Sequence, residues 1–288
     1  MPLSPASISN CQGPLRLSHC ARCSCGRGYS GLGTVDIAGT LRHPLVVFNV
    51  VRSVFHSLDE PPGMRRRYGC RVQRISWPGA GFDNLRRRAA GLIEQGGRRR
   101  VLGIAGAPAS GKSTLAEELL AALDREFPGA VAAVGMDAYH LSQRVLQRHG
   151  LVEVKGAPQT FDAIGYLRLL ERIEDSDETV YAPEFDRGVE DSIAHRVEIG
   201  PQIRLVITEG NYLCLDADPW RRVHDVLDES WFVELDEDVR RRRLVDRHMR
   251  YGRTLAEAIE RADGSDQRNA DLIEGSVLKP DVWIDQVS

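Results

Sequence analysis

The sequence predicts an α/β fold in which helices cover both faces of a mostly parallel β-sheet. From residue 82 onward, apolar runs of strand length alternate with amphipathic segments of helical length, an alternation that is typical of parallel sheets. A glycine-framed loop joins the first of these strands to the helix that follows it. Two later strands run into Asp137 and Glu209, at the sheet edge where such folds bind ligands.

The individual elements follow from hydrophobic periodicity. Phe82, Leu85, Ala89 and Leu92 recur at helical spacing, which predicts an amphipathic helix over residues 82–95. Further helices are predicted at 114–123, 162–173, 238–250 and 254–262, and strands at 101–105, 130–136, 204–208, 230–235 and 281–285. Together these elements make a three-layer sandwich, and no internal repeat is visible.

The loop from Gly106 to Ser113 matches the pattern GxxxxGK[ST], with a strand before it and a helix after it. This is the phosphate-binding P-loop, in which glycines let backbone N–H groups point at phosphate oxygens and the helix dipole adds to the attraction. Lys112 would bridge the β- and γ-phosphates of ATP, and Ser113 would offer its hydroxyl to Mg²⁺. The residues predicted to bind the nucleotide are Gly106, Ala107, Ala109, Ser110, Gly111, Lys112, Ser113 and Thr114. The fold is therefore expected to be of the P-loop NTPase type.

The lysine in this loop stands out against the rest of the chain. The sequence has 35 Arg but only three Lys, at positions 112, 155 and 279. A compact ammonium fits a tight loop in which a planar guanidinium would be a poor substitute. Lys112 is therefore interpreted as a chemical requirement of phosphate binding.

Two carboxylates stand where the second and third predicted strands end, at Asp137 and Glu209. Transfer of a phosphoryl group to an alcohol needs one carboxylate to accept the hydroxyl proton and another acidic group to hold Mg²⁺ or its waters. Asp137 suits the first role and Glu209 the second, which gives Lys112, Asp137 and Glu209 as the catalytic set and Ser113 and Glu209 as the metal ligands. The alternative for each acid is a capping role at a strand–helix junction.

The bulk composition limits the partners. The formal net charge is −3, which gives no whole-protein reason to expect binding to nucleic acid or to a membrane. No apolar stretch reaches the length of a transmembrane helix. We therefore expect a cytoplasmic protein.

Residues 1–80 differ in composition from the rest. They hold ten Arg, no Lys and only three acidic residues, and five of the six cysteines of the chain. We expect a poorly ordered basic extension with unpaired thiols, followed by the folded domain at 81–288. A basic arm that contacts a partner is the alternative. Cys20, Cys23 and Cys25 have no second cysteine pair at zinc-site spacing, so no metal is expected there. Removal of residues 1–80 is expected to leave the domain folded.

Six further motifs resemble the phosphoribulokinase/uridine kinase family of P-loop kinases, which includes the bacterial pantothenate kinase type. Within that family the chain is similar to bacterial nucleoside/nucleotide kinase-like and fructose-transport-associated kinases. The motifs are Met136–Leu141, Lys155–Asp162, Tyr181–Arg187, Glu209–Leu213, Arg243–His248 and Gly264–Ala270.

The resemblance implies a role for individual residues. Asp137 matches the catalytic base, and Glu209 matches the acid of a modified Walker B strand. The helix with Arg243 and Arg247 matches a small helical lid over ATP, and Asn269 would hold the adenine edge. The residues that would contact the acceptor are Tyr139, His140, Phe161, Phe185, Arg187 and Tyr212.

These observations predict an ATP-dependent, Mg²⁺-dependent kinase that phosphorylates a hydroxyl of a small metabolite. A nucleoside, a sugar and a pantothenate-like alcohol all remain open as acceptors, although the strand end Asp137-Ala138-Tyr139-His140 departs from the Asp-Ser-Phe-Tyr type expected in uridine kinases. The alternative is a P-loop ATPase or nucleotide-dependent regulatory protein without a small acceptor. The oligomeric state is open, with a homodimer as one form.

Overall fold

The computed structural model describes residues 73–287 of the chain. The predicted extension lies outside the described residues up to position 72. The same holds for the five cysteines of the extension and for its mainly apolar run of strand length at residues 46–51.

Among residues 73–287 the structure has eight strands and eight α-helices. The strands are β1 (Gln73–Trp77), β2 (Arg100–Gly106), β3 (Val131–Gly135), β4 (Val180–Asp186), β5 (Asp191–Ile199), β6 (Leu205–Gly210), β7 (Glu229–Leu235) and β8 (Val282–Gln286). The helices are α1 (Gly81–Glu94), α2 (Lys112–Glu126), α3 (Gln143–His149), α4 (Ala163–Asp175), α5 (Trp220–Asp225), α6 (Glu237–Arg250), α7 (Leu255–Arg261) and α8 (Gln267–Gly275).

Six strands form one sheet in the order β1-β8-β7-β2-β6-β3, and every neighbouring pair is parallel. The register aligns Gly135 with Glu209 and Ala105 with Gly210. Because parallel strands end at the same edge, the segments that follow β2, β3 and β6 meet there. This topology confirms the predicted fold class.

The sheet is covered on both faces, and the side chains of its central strand show why. In β2, Val101 and Ala105 belong to a core shared with α4 and α5, whereas Leu102 and Ile104 belong to a core shared with α1 and α2. All four are fully buried. Residues of alternating parity face opposite sides of a strand, so a continuous apolar run is needed where both sides are covered.

The sheet begins before the predicted domain boundary at residue 81. Strand β1 pairs with β8 along its whole length, and Ile75 and Trp77 are buried in the core with α1 and α2. Its neighbours Arg74 and Ser76 point outward. This short alternating strand was not predicted, because the charged residues around it match the composition of the extension.

A second element missed in the sequence is an antiparallel hairpin of β4 and β5, separate from the main sheet. Its turn, residues 187–190, includes Glu190 at a positive φ of 54°. Many of its side chains are exposed, so hydrophobic alternation is weak. The hairpin packs against the segment at the end of β3 and so borders the carboxyl edge of the sheet.

Helices α6, α7 and α8 follow β7, with a π-helical turn at Ala262–Asp266 between α7 and α8. Leu244, Val245, Ala258 and Ala262 form a small buried cluster, and Ala109 of the P-loop packs against it. The lid-like helices therefore contact the phosphate-binding loop directly.

Candidate active site

A cavity of about 580 Å³ lies at the carboxyl edge of the sheet, between the P-loop, the end of β3, the hairpin and the helices after β7. Nine of the residues singled out in the sequence line it. They are Lys112, Ser113, Asp137, His140, Phe185, Arg187, Glu209, Arg247 and Asn269. The fold thus brings together side chains that are far apart in the chain.

The loop between β2 and α2 has the backbone geometry that phosphate binding needs. Gly111, the residue before α2, has φ 93°, a conformation that favours glycine. A Cβ on Gly111 would lie within 3 Å of the Gln286 side chain. The hydroxyl of Ser110 is buried and, within the described residues, has no hydrogen-bond partner. An unsatisfied buried donor in a glycine-shaped loop fits a phosphate oxygen as its partner.

Lys112 and Glu209 form the buried centre of the site. Lys112 is 9% exposed, and burial lowers its pKa while the charge of Glu209 opposes that shift. Burial likewise raises the pKa of Glu209, against the effect of Lys112 and of a hydrogen bond from the Ser113 hydroxyl. The opposite charges of the two groups therefore partly offset the effect of burial on each of them.

Asp137 lies just beyond β3 and is more accessible, with 31% of its side chain exposed. One carboxylate oxygen lies 3.6 Å from Nη2 of Arg187, and the other lies 4.0 Å from Nδ1 of His140. Asp137 therefore has a cation on one side and an imidazole on the other, and it still faces the cavity.

His140 serves as a wall of the cavity. Its Nδ1–H donates to the backbone carbonyl of Asp137 at 3.0 Å, and its ring lies 3.9 Å from that of Phe161 and 5.6 Å from that of Phe185. Burial lowers the pKa of His140, and the nearby Asp137 carboxylate only partly offsets this. The ring is therefore neutral near pH 7, so His140 contributes a hydrogen bond and an aromatic wall to the cavity and not a positive charge.

The two predicted lid arginines differ in position. Arg247 lines the cavity, and its charge lowers the pKa of Lys112 after the larger effect of burial. Arg243 does not line it; its Nη1 donates to Oε1 of Gln286 at 2.8 Å. Since Gln286 lies against Gly111, Arg243 supports the P-loop from behind. His248, also on α6, pairs with Asp266 at 2.6 Å and ties the lid to the π-helical turn.

Three residues predicted to contact the acceptor lie in the core instead. Tyr139 packs against Tyr166, and Phe161 and Tyr212 are buried with their rings 5.6 Å apart. Their rings pack in the hydrophobic layer beneath the cavity, as aromatic residues beside a pocket commonly do. They shape the cavity from behind and do not line it.

Two further residues predicted to bind the nucleotide, Thr114 and Asn269, differ in their position relative to the cavity. Thr114 is exposed in the first turn of α2 and does not line the cavity. Asn269 lines the cavity, and its Nδ2 lies 3.8 Å from the position of a Cβ on Gly156. Gly156 belongs to the segment before α4, so Asn269 lies at the part of the cavity wall that this segment forms.

Several residues of the site were not predicted. They include Lys155, Asn211 and Arg261, which line the cavity, and Gln286, which lies against Gly111. The sequence places Lys155 in a motif without assigning it a role, although the rarity of lysine in this arginine-rich chain was a usable signal. Asn211 lines the cavity with its side-chain oxygen buried and, among the described residues, unpartnered. Arg261 and Gln286 could not be predicted because they contact residues that are distant in the chain, and such contacts produce no local sequence pattern.

The oxygen donors at the site suit Mg²⁺. In the described part of the chain no group of three or more His, Cys, Asp or Glu side chains is arranged to hold a metal alone. Mg²⁺ in kinase sites is bound by one or two protein oxygens together with substrate phosphates, and Ser113 and Glu209 are hydrogen-bonded neighbours that offer such oxygens.

Within residues 73–287 no helix is both long and apolar enough to span a membrane.

Comparisons with known proteins agree with this architecture. No protein-family model matches the chain. A Schizosaccharomyces pombe protein named "Putative uridine kinase" is 34% identical over 216 residues, which cover 72% of this chain and 91% of that protein. An Aspergillus versicolor protein named "ATP-dependent kinase-like protein" is 38% identical over 148 residues, 48% of this chain and 86% of that protein.

Among solved structures, the crystal structure of a "putative fructose transport system kinase" from Silicibacter sp. TM1040 superposes with a TM-score of 0.63 and 38% identity. It covers 69% of this chain and 98% of the solved chain. The similarity therefore spans nearly the whole of each of these proteins and most of the described residues of this one.

Proposed function

The chain belongs to the phosphoribulokinase/uridine kinase family of P-loop kinases, and from that premise we propose that it transfers the γ-phosphoryl group of Mg·ATP to a hydroxyl group of a small metabolite. The observation that carries the proposal is the meeting of Lys112, Asp137 and Glu209 around one cavity. These side chains lie at the carboxyl ends of three adjacent strands of the sheet, β2, β6 and β3.

Each residue has a distinct task in the proposed reaction. Lys112 neutralises charge on the β- and γ-phosphates, and the buried pair with Glu209 keeps its ammonium in place. Asp137 orients the acceptor hydroxyl and accepts its proton. Arg187 and Arg247 border the same space and stabilise the negative charge of the phosphoryl group in transit.

Ser113 and Glu209 would hold Mg²⁺, which when bound supplies charge neutralisation to the phosphate oxygens. The hydrogen bond between these two side chains supports the assignment, because it keeps both oxygens on the same side of the P-loop.

The acceptor is a small hydroxyl compound that enters beside Asp137. The buried, unpartnered oxygen of Asn211 would accept a hydrogen bond from such a compound. The names of the relatives point to different acceptors, uridine in one and fructose transport in another. They therefore do not choose among nucleosides, sugars and other alcohols for this chain.

The test is ATP consumption by the purified protein with and without a panel of hydroxyl compounds. A kinase gives ADP release that depends on one compound class, and the product carries the phosphoryl group by mass spectrometry. A regulatory ATPase would release ADP at a rate that no compound on the panel changes, and that result would exclude the proposal.

A further inference from the structure

Lys155 places a positive charge in the cavity that the proposed transfer of the phosphoryl group does not use. It lines the same cavity as Lys112, and 24% of its side chain is exposed. Its ammonium lies 5.7 Å from the centre of the Phe185 ring, 3.6 Å from the Glu190 carboxylate and 3.5 Å from the Glu190 carbonyl.

This charge lies on the acceptor side of the site. Besides their effect on each other, Lys112 and Glu209 are both affected by the charges of Asp137 and Arg187, and Lys112 also by that of Arg247. Lys155 instead acts on His140, whose pKa it lowers after the larger effect of burial. Because His140 borders Asp137, the order along the wall runs from the P-loop through Asp137 and His140 to Lys155.

The backbone around Lys155 is held firmly in this position. Arg261 of α7 donates to the carbonyl of Lys155 at 2.7 Å and to that of Glu153 at 3.1 Å. The next residue, Gly156, donates to Thr160 Oγ1 at 3.0 Å and accepts from the Tyr212 hydroxyl. A charge on so well anchored a segment is preorganised for a ligand.

The ion pair with Glu190 leaves the Lys155 ammonium available to a ligand. Glu190 is in the hairpin turn, its side chain is 61% exposed, and the ion pair is long at 3.6 Å. An ion pair of this length contributes little, because the Glu190 carboxylate remains well solvated. A ligand anion can replace the Glu190 carboxylate at the ammonium.

We propose that the acceptor carries an anionic group, a carboxylate or a phosphate, which binds Lys155 while the reacting hydroxyl lies at Asp137. Asn269, beside Gly156, is positioned to donate a hydrogen bond to the same acceptor. This inference rests on the proposed kinase function and narrows its substrate class.

The first experiment compares matched acceptors that differ in charge. Glycerate is paired with glycerol, pantothenate with panthenol, and fructose 6-phosphate with fructose, and uridine serves as a neutral nucleoside. We expect the anionic member of one pair to have a kcat/KM roughly tenfold to a hundredfold above that of its neutral partner. The carboxylate pairs and the phosphate pair then show which anion the site takes.

The second experiment tests Lys155 itself. Lys155→Gln should raise KM for the anionic acceptor by roughly tenfold or more, with KM for ATP within about twofold of the wild type. Lys279→Gln, at an exposed lysine outside the cavity, is the matched control and should behave like the wild type. Glu190→Gln should leave KM for the acceptor unchanged or lower it.

The outcomes separate this inference from the function it rests on. If a neutral acceptor is used as well as its anionic partner, or if Glu190→Gln reproduces the effect of Lys155→Gln, the inference is wrong and Lys155 merely latches the hairpin. If no acceptor changes the rate of ADP release, the kinase function itself fails and the inference fails with it.

Discussion

The Arg187 guanidinium lies 3.6 Å from the Asp137 carboxylate and so links the turn of the β4–β5 hairpin to the end of β3. Both side chains are partly exposed, at 44% and 31%, so the pair is solvated and can open without a large desolvation penalty. In the proposed reaction, an acceptor hydroxyl can therefore reach Asp137 while Arg187 remains close to the transferred phosphoryl group.

The first prediction concerns Asp137 as the proton acceptor. Asp137→Asn keeps the size of the side chain but removes its basicity, so kcat should fall by roughly 10²- to 10⁴-fold. Affinity for Mg·ATP, measured by calorimetry, should stay within a few fold because Lys112 and the P-loop are unchanged. Asp175→Asn, at the exposed end of α4, is the control and should retain wild-type turnover. Turnover close to that of the wild type in Asp137→Asn would refute the base role.

The second prediction concerns the choice of lysine in the P-loop. Lys112 is 9% exposed and lies beside Glu209, and a planar guanidinium is a poor substitute for a compact ammonium in such a tight loop. Lys112→Arg should lower kcat/KM for ATP by roughly 10²-fold or more, although the formal charge is the same. The control is Lys279→Arg at an exposed site. Steady-state kinetics at fixed acceptor measures the effect, and a loss of only a few fold would show that the charge alone is sufficient.

The third prediction concerns pH and His140. Burial lowers the pKa of His140, so the unfolded chain takes up this proton more readily than the folded chain. The stabilisation from the neutral ring is present above about pH 6.5 and is lost as the pH falls below it. His140→Asn retains an N–H donor for the Asp137 carbonyl but does not titrate.

Denaturant unfolding at about pH 7.5 and about pH 5.5 measures this dependence. The free energy of unfolding should decrease less over this range in His140→Asn than in the wild type. His149→Asn, at an exposed position of α3, should keep the wild-type dependence. An equal decrease in the wild type and in His140→Asn would contradict the assignment.

The fourth prediction concerns the start of the folded domain. A chain that begins at Gln73 should retain the stability of the full chain, whereas one that begins at Gly81 should lose β1. The second truncation removes the buried side chains Ile75 and Trp77 and exposes the edge of β8 to other chains. Unfolding and light scattering compare the two truncations. Trp77→Ala in the full chain should cost about 3–5 kcal/mol. Equal stability of both truncations would show that β1 is dispensable.

Much of the fold could be predicted because buried parallel strands leave strong local signals. The runs at 101–105 and 204–208 are apolar on both sides, since helices cover both faces of the sheet. By contrast, β1 and the β4–β5 hairpin have one face or most of their surface exposed, so their polar residues resemble those of a loop. For these three strands, prediction failed because their burial is partial.

The candidate site likewise has a part that could be predicted from the sequence and a part that could not. Its P-loop could be predicted because a continuous segment provides the backbone, the lysine and the hydroxyl that phosphate requires. The pairing of Arg187 with Asp137, the support of Gly111 by Gln286 and the anchoring of Lys155 by Arg261 could not. Each joins segments whose separation in the chain carries no periodic signal.

From the sequence alone follow the α/β class and the order of the main strands and helices, and the same sequence predicts Lys112, Asp137 and Glu209 as the reactive set. These properties depend on local spacing and on residue chemistry. The tertiary structure alone decided that Tyr139, Phe161 and Tyr212 pack behind the cavity and that Lys155 lines it. Whether a side chain faces a core or a cavity depends on which elements pack over it, and that packing is fixed only once the whole chain has folded.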